Sequence, residues 1–242
     1  MWRAFDHVVT DPLARAGIPM AVTPGNHDAS SGARFALERR IYREHWLPRR
    51  PAVEFIDAAD YPFSYAFAVA RMLFISLDAT FVGPMSEREV SWLRGVLAHH
   101  GGRYSHRIVF SHVPVWPFAV GRESDYLGDE RLEAILQQGH VDLVLSGHHH
   151  AYFPGAKDGL RYVSQACLGA APRPLIGTPA RSEHAIAMLE IPATGPISVE
   201  AYRAPDFTVP IHRHALPERI VSRRATLLRD DLVPAPPGGS SK

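Results

Sequence analysis

Three short stretches of the chain carry side chains that could bind a metal ion. They are PGNHDAS at residues 24–30, SHVPVW at 111–116 and SGHHHAY at 146–152. Neutral imidazole is the commonest protein ligand for transition metals, and an Asn carbonyl oxygen can complete a coordination shell without adding charge. The residue types therefore indicate a site for a hydrolytic metal ion.

Each stretch has an ordinary explanation when it is taken alone. A lone GNHD is more often a turn, because Gly-Asn favours turns and Asp28 could cap a following helix. His112 could be a buried structural histidine, and the HHH run could be a solvated loop. The three together, each after a separate apolar segment, favour a metal site. His99, His100, His212 and His214 are left out, because a helix end explains the first two and a polar, proline-flanked segment explains the others.

The spacing of the histidines gives them different directions. His148 and His150 are two residues apart, so they share a face if the segment is extended, whereas in a loop each could bind a different ion. His149 would then point elsewhere. Gly25 and Gly147 permit the unusual backbone torsions and the close approach of ligands that a crowded metal loop needs.

Helical periodicity and end signals predict four helices. Gly17 closes the first one, and Ser86 with Glu89 three residues later forms a capping-box pattern at the start of the third. The predicted helices cover residues 2–16, 34–46, 86–100 and 129–139.

Short apolar runs between turn signals predict the strands. The runs 63–69 and 72–78 lie on either side of Ala70-Arg71 and predict a hairpin. GNHD at 25–28 follows the apolar run 18–22, at the carboxyl end of that predicted strand. The predicted strands cover residues 18–22, 63–69, 72–78, 107–112, 141–146, 161–165, 185–191 and 197–203.

The alternation of strands and helices predicts an α/β chain with helices on the faces of a sheet. Sites in such sheets gather at the carboxyl ends of the strands, so we expect Asn26, His27, His112, His148 and His150 to converge. The β-rich segment after Gly155 predicts a second sheet. The last residues are rich in Pro, Gly and Ser and predict a disordered tail.

The composition excludes several classes of function. Lys and Arg number 26 and Asp and Glu number 25, so no strong field attracts nucleic acid or anionic lipid. The single cysteine, Cys167, allows neither an intramolecular disulfide nor a thiolate cluster. There is no apolar run of transmembrane length, and the first residues lack a secretory-signal pattern. The cell compartment and the oligomeric state stay open.

The ordered motifs resemble those of the calcineurin-like metallophosphoesterase superfamily, which includes purple acid phosphatases and cyclic-nucleotide phosphodiesterases. GNHD at 25–28, the strand-end His112 and GHHH at 147–150 match its last three motifs, and the match spans about residues 1–155. The resemblance implies a two-sheet β-sandwich flanked by helices in four layers. We expect a phosphoesterase domain at 1–205 that is incomplete at its N-terminus, a C-terminal extension at 206–233 and, from its composition, a disordered tail at 234–242.

The resemblance also implies the chemistry of the site. Asn26, His112 and His148 would bind one metal ion and His150 a second, the ions being Mn, Fe or Zn. His27 would donate a proton to the leaving oxygen. A metal-bound hydroxide would attack phosphorus in line, so that a small phosphate mono- or diester is the expected substrate.

Two motifs of the family do not precede GNHD in this sequence. D-x-H and G-D-x-x-D supply the carboxylate that bridges the ions and further ligands, but the 24 residues before Gly25 contain neither. Asp6 and His7 are adjacent and lie in a predicted helix, so they are not assigned. We expect a truncated start, in which the fold lacks its N-terminal strands and this chain alone is impaired as an enzyme.

Three functions remain open at this level. The leading hypothesis is a dinuclear phosphoesterase, and the alternative is a non-catalytic module that binds metal or phosphate. A nuclease is disfavoured, because the chain shows no basic stripe. The loops 115–126 and 167–184 are expected to border the site. Their candidate substrate contacts are Trp116, Phe118, Arg122 and Arg173.

Overall fold

The computed structural model describes residues 2–233, which form a nine-stranded sheet, a three-stranded sheet and flanking helices. The helices are α1 (Trp2–Phe5), α2 (Asp11–Arg15), α3 (Ala36–Trp46), α4 (Glu87–His100) and α5 (Glu130–Gln138). The first six strands are β1 (Glu54–Asp60), β2 (Ser64–Val69), β3 (Met72–Ser76), β4 (His106–Ser111), β5 (Leu143–Ser146) and β6 (Phe153–Lys157). The other six are β7 (Leu160–Ser164), β8 (Ala185–Glu190), β9 (Ser198–Arg203), β10 (Val209–Pro210), β11 (Arg219–Val221) and β12 (Thr226–Arg229).

The large sheet has the order β1-β2-β3-β4-β5-β7-β6-β12-β11. Strands β3, β4, β5 and β7 are parallel to one another and form its centre, while the outer pairs are antiparallel. Because the central strands are parallel, their carboxyl ends and the loops that follow them lie along one edge. The small sheet has the order β10-β9-β8.

Alternating residues of the central strands pack on opposite faces of the large sheet. Leu73, Ile75 and Val109 pack on one face against buried residues of α4 and α5. Ile108 and Leu143 pack on the other face against the small sheet. The predicted α/β class with a β-sandwich flanked by helices is therefore confirmed.

The helices begin where side chains satisfy their free backbone N–H groups. The side chain of Ser86 accepts a hydrogen bond from the N–H of Glu89 at 3.2 Å at the start of α4. Asp129 accepts one from the N–H of Arg131 at 3.1 Å at the start of α5. Both predicted helices are confirmed, and so is the hairpin of β2 and β3.

The N-terminal segment differs from its prediction in two ways. The predicted helix is present, but it is π-helical at Asp6–Thr10, between α1 and α2. The strand predicted at 18–22 is wrong, because this segment joins no sheet. The N–H of Val22 donates instead to the hydroxyl of Tyr65 at 2.9 Å, and that hydroxyl donates back to the carbonyl of Val22. The hydroxyl of Tyr65 thus makes the backbone hydrogen bonds that a neighbouring strand would otherwise make to Val22.

The segment 206–233 joins both sheets. β10 pairs with β9, and β12 pairs with β6, so that the β11–β12 hairpin ends the large sheet. Asp230 fixes this segment, because it accepts hydrogen bonds from Arg161 at 2.5 Å and from Nε of Arg213 at 2.8 Å. The disordered tail predicted at 234–242 lies outside the described residues.

Within residues 2–233, no helix is both long enough and apolar enough to cross a membrane.

Candidate metal site

The GNHD segment forms a tight loop beside the carboxyl ends of β3 and β4. The carboxylate of Asp28 accepts a hydrogen bond from the N–H of Gly25 at 2.8 Å, and the N–H of Ala29 donates to the carbonyl of Gly25 at 3.0 Å. A Cβ at position 25 would lie 2.7 Å from Oδ1 of Asp28 and 3.5 Å from Nδ1 of His112. Gly25 therefore allows the loop to close against His112, and Asp28 stabilises the loop.

Three potential metal donors meet at this loop. Oδ1 of Asn26 lies 2.7 Å from Nε2 of His112, and Nδ1 of His148 lies 3.1 Å from the same nitrogen. Two ligand atoms that each lie about 2.0–2.2 Å from one ion are roughly 3 Å apart when the angle between them at the ion is near 90°. We call Asn26, His112 and His148 the donor triad.

The GHHH segment turns sharply after β5. His148 has φ 64° and His150 has φ 54°, a left-handed region that side chains other than glycine seldom adopt. The N–H of Gly147 donates to the carbonyl of His112 at 3.0 Å and ties this turn to the end of β4. Backbone strain of this kind clusters at functional sites, where the surrounding structure maintains it.

The other two predicted site residues, His27 and His150, lie at the same edge but outside the triad. His27 is exposed, and Nδ1 of His150 lies 3.3 Å from the carbonyl of Ala171. His27 and His150 lie close enough to the triad that a positive charge on either of them lowers the pKa of His112 and the pKa of His148. The structure therefore brings all five predicted residues to one edge, where His112 contacts both Asn26 and His148.

The surroundings keep the triad histidines neutral. Burial, followed by repulsion from His148, His150 and His27, lowers the pKa of His112 to about 3. Burial and the nearby Arg122 lower the pKa of His148 to about 4. Neutral imidazole is the form that binds a metal ion, so these side chains are in the ligand state at neutral pH.

His149 is turned away from the triad, as its position between two candidate ligands predicts. It is fully buried, and both of its ring nitrogens bond to the backbone of one loop. Nδ1 accepts a hydrogen bond from the N–H of Phe118 at 3.0 Å, and Nε2 lies 2.8 Å from the carbonyl of Asp125. This pattern assigns the proton to Nε2, since Nδ1 is an acceptor.

Asp125 is a charged neighbour of the triad that the sequence did not reveal. Its Oδ2 lies 3.8 Å from Nε2 of His148 and accepts a hydrogen bond from Arg122. Burial acts to raise the pKa of the Asp125 carboxyl, but the hydrogen bond and charge of Arg122 outweigh it and the pKa is lowered. Only the fold brings this carboxylate to the histidine.

Two of the four substrate contacts proposed from the loops are wrong. Trp116 is 6% exposed and Phe118 is 1% exposed, so neither side chain borders open space. Phe118 packs against His149 and Phe153, and Trp116 stacks on Tyr126. Both belong to the core because the loop folds back over the sheet.

The carboxylate at the end of the β3 segment is engaged by an arginine. Asp78 forms a two-pronged ion pair with Arg39, with distances of 3.2 and 2.5 Å. The guanidinium of Arg39 also lies over the ring of Phe63, 3.6 Å from its centroid. The charge of Asp78 is therefore balanced by α3 and not by the triad.

Glu89 lies near Asp78 and provides a pH-dependent prediction. Burial, followed by the nearby Asp78 and Asp60, raises the pKa of Glu89 despite its hydrogen bond from Ser64 at 2.6 Å. The folded protein thus binds a proton before the unfolded chain does as pH falls. Between the ordinary and the raised pKa, stability must decrease as pH rises. Glu89→Gln should therefore stabilise the protein relative to wild type more at pH 8 than at pH 5.

Urea unfolding at the two pH values measures this difference. Glu38→Gln is the matched control, because Glu38 is an exposed glutamate on α3. The same pH dependence in wild type and Glu89→Gln would contradict the argument.

The donor set fits one ion and falls short of a second. Oxygen and imidazole donors suit a transition-metal ion, and the distances from Nε2 of His112 to the other two donor atoms are close to those between ligands of one ion. Among residues 2–233, however, no group of three or more His, Cys, Asp or Glu side chains could hold an ion. The triad reaches three donors only through Asn26, and His150 offers a single donor to a second ion.

Comparisons with known proteins agree with this fold. A sequence model of the family described as calcineurin-like phosphoesterase matches residues 3–152. Purple acid phosphatase 18 of Arabidopsis thaliana is 30% identical over 155 residues, which cover 62% of this chain and 34% of that protein. The chain thus spans about a third of the length of the curated relative it matches.

Two solved structures have similar folds. Purple acid phosphatase PPD1 from yellow lupin (Lupinus luteus) seeds has a TM-score of 0.50 and 17% identity, over 61% of this chain and 31% of its own. A dimetal phosphatase from Danio rerio has a TM-score of 0.50 and 19% identity, over 68% of this chain and 65% of its own. At these identities the likeness concerns the fold alone. Since the family model covers more than half of the sequence, the chain belongs to the calcineurin-like phosphoesterase family.

Proposed function

We propose that this chain is a metal-dependent hydrolase of phosphate esters. One observation carries the proposal: Asn26, His112 and His148 bring three neutral donor atoms together at the carboxyl edge of a parallel sheet. That edge is where open α/β sheets bind their ligands. Membership of the phosphoesterase family supports phosphate esters as the substrate class.

The residues of the chain divide the work in this proposal. The triad holds an ion, which when bound supplies positive charge that polarises a phosphoryl oxygen and lowers the pKa of an adjacent water molecule. His27 is exposed beside the triad and in its protonated form donates to the leaving oxygen. The pairing of Asp28 with Gly25 keeps this loop, and therefore His27, in place.

A dinuclear form of the site is the finer part of the proposal. His150 is the donor that this chain offers to a second ion, and it lies at the same edge as the triad. A second ion needs carboxylate or imidazole donors in addition to His150, because a single imidazole holds a dication weakly. Metal content of about two ions per chain would support this form, and about one ion per chain would mean that His150 alone does not hold the second ion.

Hydrolysis of p-nitrophenyl phosphate and bis-p-nitrophenyl phosphate tests the function. The protein is stripped with a chelator and then reloaded with Mn²⁺, Fe²⁺ or Zn²⁺. We expect activity that returns with the metal, and His27→Asn should lower kcat by about 10²- to 10⁴-fold, the usual contribution of a general acid. His7→Asn, at an exposed histidine of the N-terminal segment, is the control.

A second candidate is a non-catalytic module that binds metal or phosphate. It is favoured because, among residues 2–233, no group of three or more His, Cys, Asp or Glu side chains completes a catalytic metal centre. Tight metal binding without turnover of either ester would support this alternative. Metal-dependent turnover that His27→Asn removes would exclude it.

A further inference from the structure

His148 has one ring nitrogen in the triad and one outside it. Nδ1 faces His112, whereas Nε2 is buried and has no hydrogen-bond partner within the described part of the chain. An imidazole that binds a metal through one nitrogen usually donates its other N–H to a carboxylate, a carbonyl or a water molecule. Nε2 of His148 therefore needs an acceptor.

Asp125 is the carboxylate within ion-pair distance of that nitrogen. Its Oδ2 lies 3.8 Å from Nε2, which is longer than a hydrogen bond. The same oxygen accepts a hydrogen bond from Arg122, which holds the carboxylate in the orientation that faces Nε2 of His148. The N–H of Asp125 also donates to the carbonyl of Arg122 at 3.0 Å, which closes the loop locally.

His149 fixes the backbone that carries Asp125. Its two nitrogens bond to the N–H of Phe118 and to the carbonyl of Asp125, and its ring is fully buried. One end of the loop is thereby tied to the residue next to His148. An imidazole with both nitrogens engaged in the core cannot turn without leaving buried polar groups unpaired, which is unfavourable.

We propose that Asp125 is a positioning residue for His148 and that His149 holds Asp125 in place. Asp125 accepts the Nε2–H of His148, which leaves the lone pair of Nδ1 free for an ion. This role rests on the proposed function, because His148, the residue that Asp125 positions, is a ligand of the proposed ion. The contact should shorten from 3.8 Å once Nδ1 is engaged, since the opposite N–H then becomes a stronger donor.

Two measurements test the proposal on the full chain. Long-range ¹H–¹⁵N correlation spectra of histidine-labelled, metal-free protein report which nitrogen of His148 carries the proton, with the signals assigned by their loss in His148→Gln. Competition with a chromophoric chelator measures the affinity for Zn²⁺. We expect the Nε2–H tautomer in wild type, a mixture of tautomers in Asp125→Ala, and a loss of affinity of about 10- to 100-fold in that variant.

Matched variants separate positioning from a general effect on folding. Asp125→Asn keeps an acceptor oxygen and should restore the tautomer and most of the affinity, whereas Glu123→Ala removes an exposed carboxylate of the same loop and should change neither. His149→Phe keeps an aromatic ring but should reproduce the tautomer mixture of Asp125→Ala.

Each outcome decides a separate claim. An unchanged His148 tautomer and unchanged affinity in Asp125→Ala would overturn the proposal, and a wild-type spectrum in His149→Phe would overturn the role of His149. Absence of zinc binding by wild type would count against the proposed function alone, because the tautomer is measured without metal.

Discussion

Replacing His112 with alanine is expected to lower the affinity for Zn²⁺ by at least about 100-fold. Its Nε2 contacts both other donors, at 2.7 Å from Asn26 and 3.1 Å from His148, so the substitution removes the centre of the triad. Loss of a group that only supports a ligand costs about 10- to 100-fold in metal affinity, and loss of a ligand should exceed this range. Chelator competition measures the affinity, and circular dichroism checks the fold.

His99→Ala is the matched control for this experiment. His99 is an exposed histidine at the end of α4, where its Nδ1 lies 2.7 Å from the carbonyl of Gly95. Its removal should leave zinc affinity unchanged. Similar affinities in His112→Ala, His99→Ala and wild type would mean that zinc binds elsewhere on the chain.

Asp230→Ala should lower the free energy of unfolding by about 3–5 kcal/mol, the cost of breaking a buried ion pair from one side. The Asp230 side chain is 6% exposed and accepts hydrogen bonds from both Arg161 and Arg213. Arg161 belongs to β7, and Arg213 also donates to the carbonyl of Val199 in β9 at 2.9 Å. The substitution would leave two partly buried guanidinium groups without their carboxylate partner where the two sheets meet.

Asp231→Ala, at the adjacent acidic residue, provides the comparison. Asp231 is 37% exposed and pairs with Arg229, which also donates to the carbonyls of Arg213 and Leu216. Its loss should cost clearly less, because Asp231 is far more exposed than Asp230, pairs with one arginine instead of two, and is screened by solvent. Urea unfolding measures both variants. Equal effects would show that Asp230 has no special part in joining the sheets.

Local signals explain why much of the fold could be predicted from the sequence. The pattern of α4 combines a capping serine with apolar residues at helical spacing, and both features act within a few residues. The β2–β3 hairpin is also local, since Ala70 and Arg71 alone connect its strands. Elements of this kind form for reasons that a single segment contains.

Elements that depend on distant partners could not be predicted. The segment 18–22 has the composition of a strand, but Val22 meets the hydroxyl of Tyr65, 43 residues away, and no strand. β6 could not be predicted, because Pro154 and Gly155 are residues that disfavour a strand. Pro154 is tolerated in β6 because it lies beyond the two β6 residues, Gly155 and Ala156, that pair with β12. Neither outcome is encoded near the residues concerned.

The site shows the same division between local and distant information. Asn26, His112 and His148 could be named from the sequence because each ends an apolar segment and has a ligand side chain. The pairing of Asp125 with His148 could not, because the sequence around Asp125 resembles any charged loop. The ion pair of Asp78 with Arg39 was hidden for a similar reason, since 39 residues separate the two.

X-ray absorption at the zinc edge of the zinc-loaded chain tests the central claim most directly. The claim that Asn26, His112 and His148 bind one ion predicts two imidazole nitrogens at about 2.0–2.1 Å and oxygen donors beside them. One imidazole should disappear from the spectrum of His112→Ala. A shell of oxygen atoms alone, or a spectrum that His112→Ala leaves unchanged, would contradict the account.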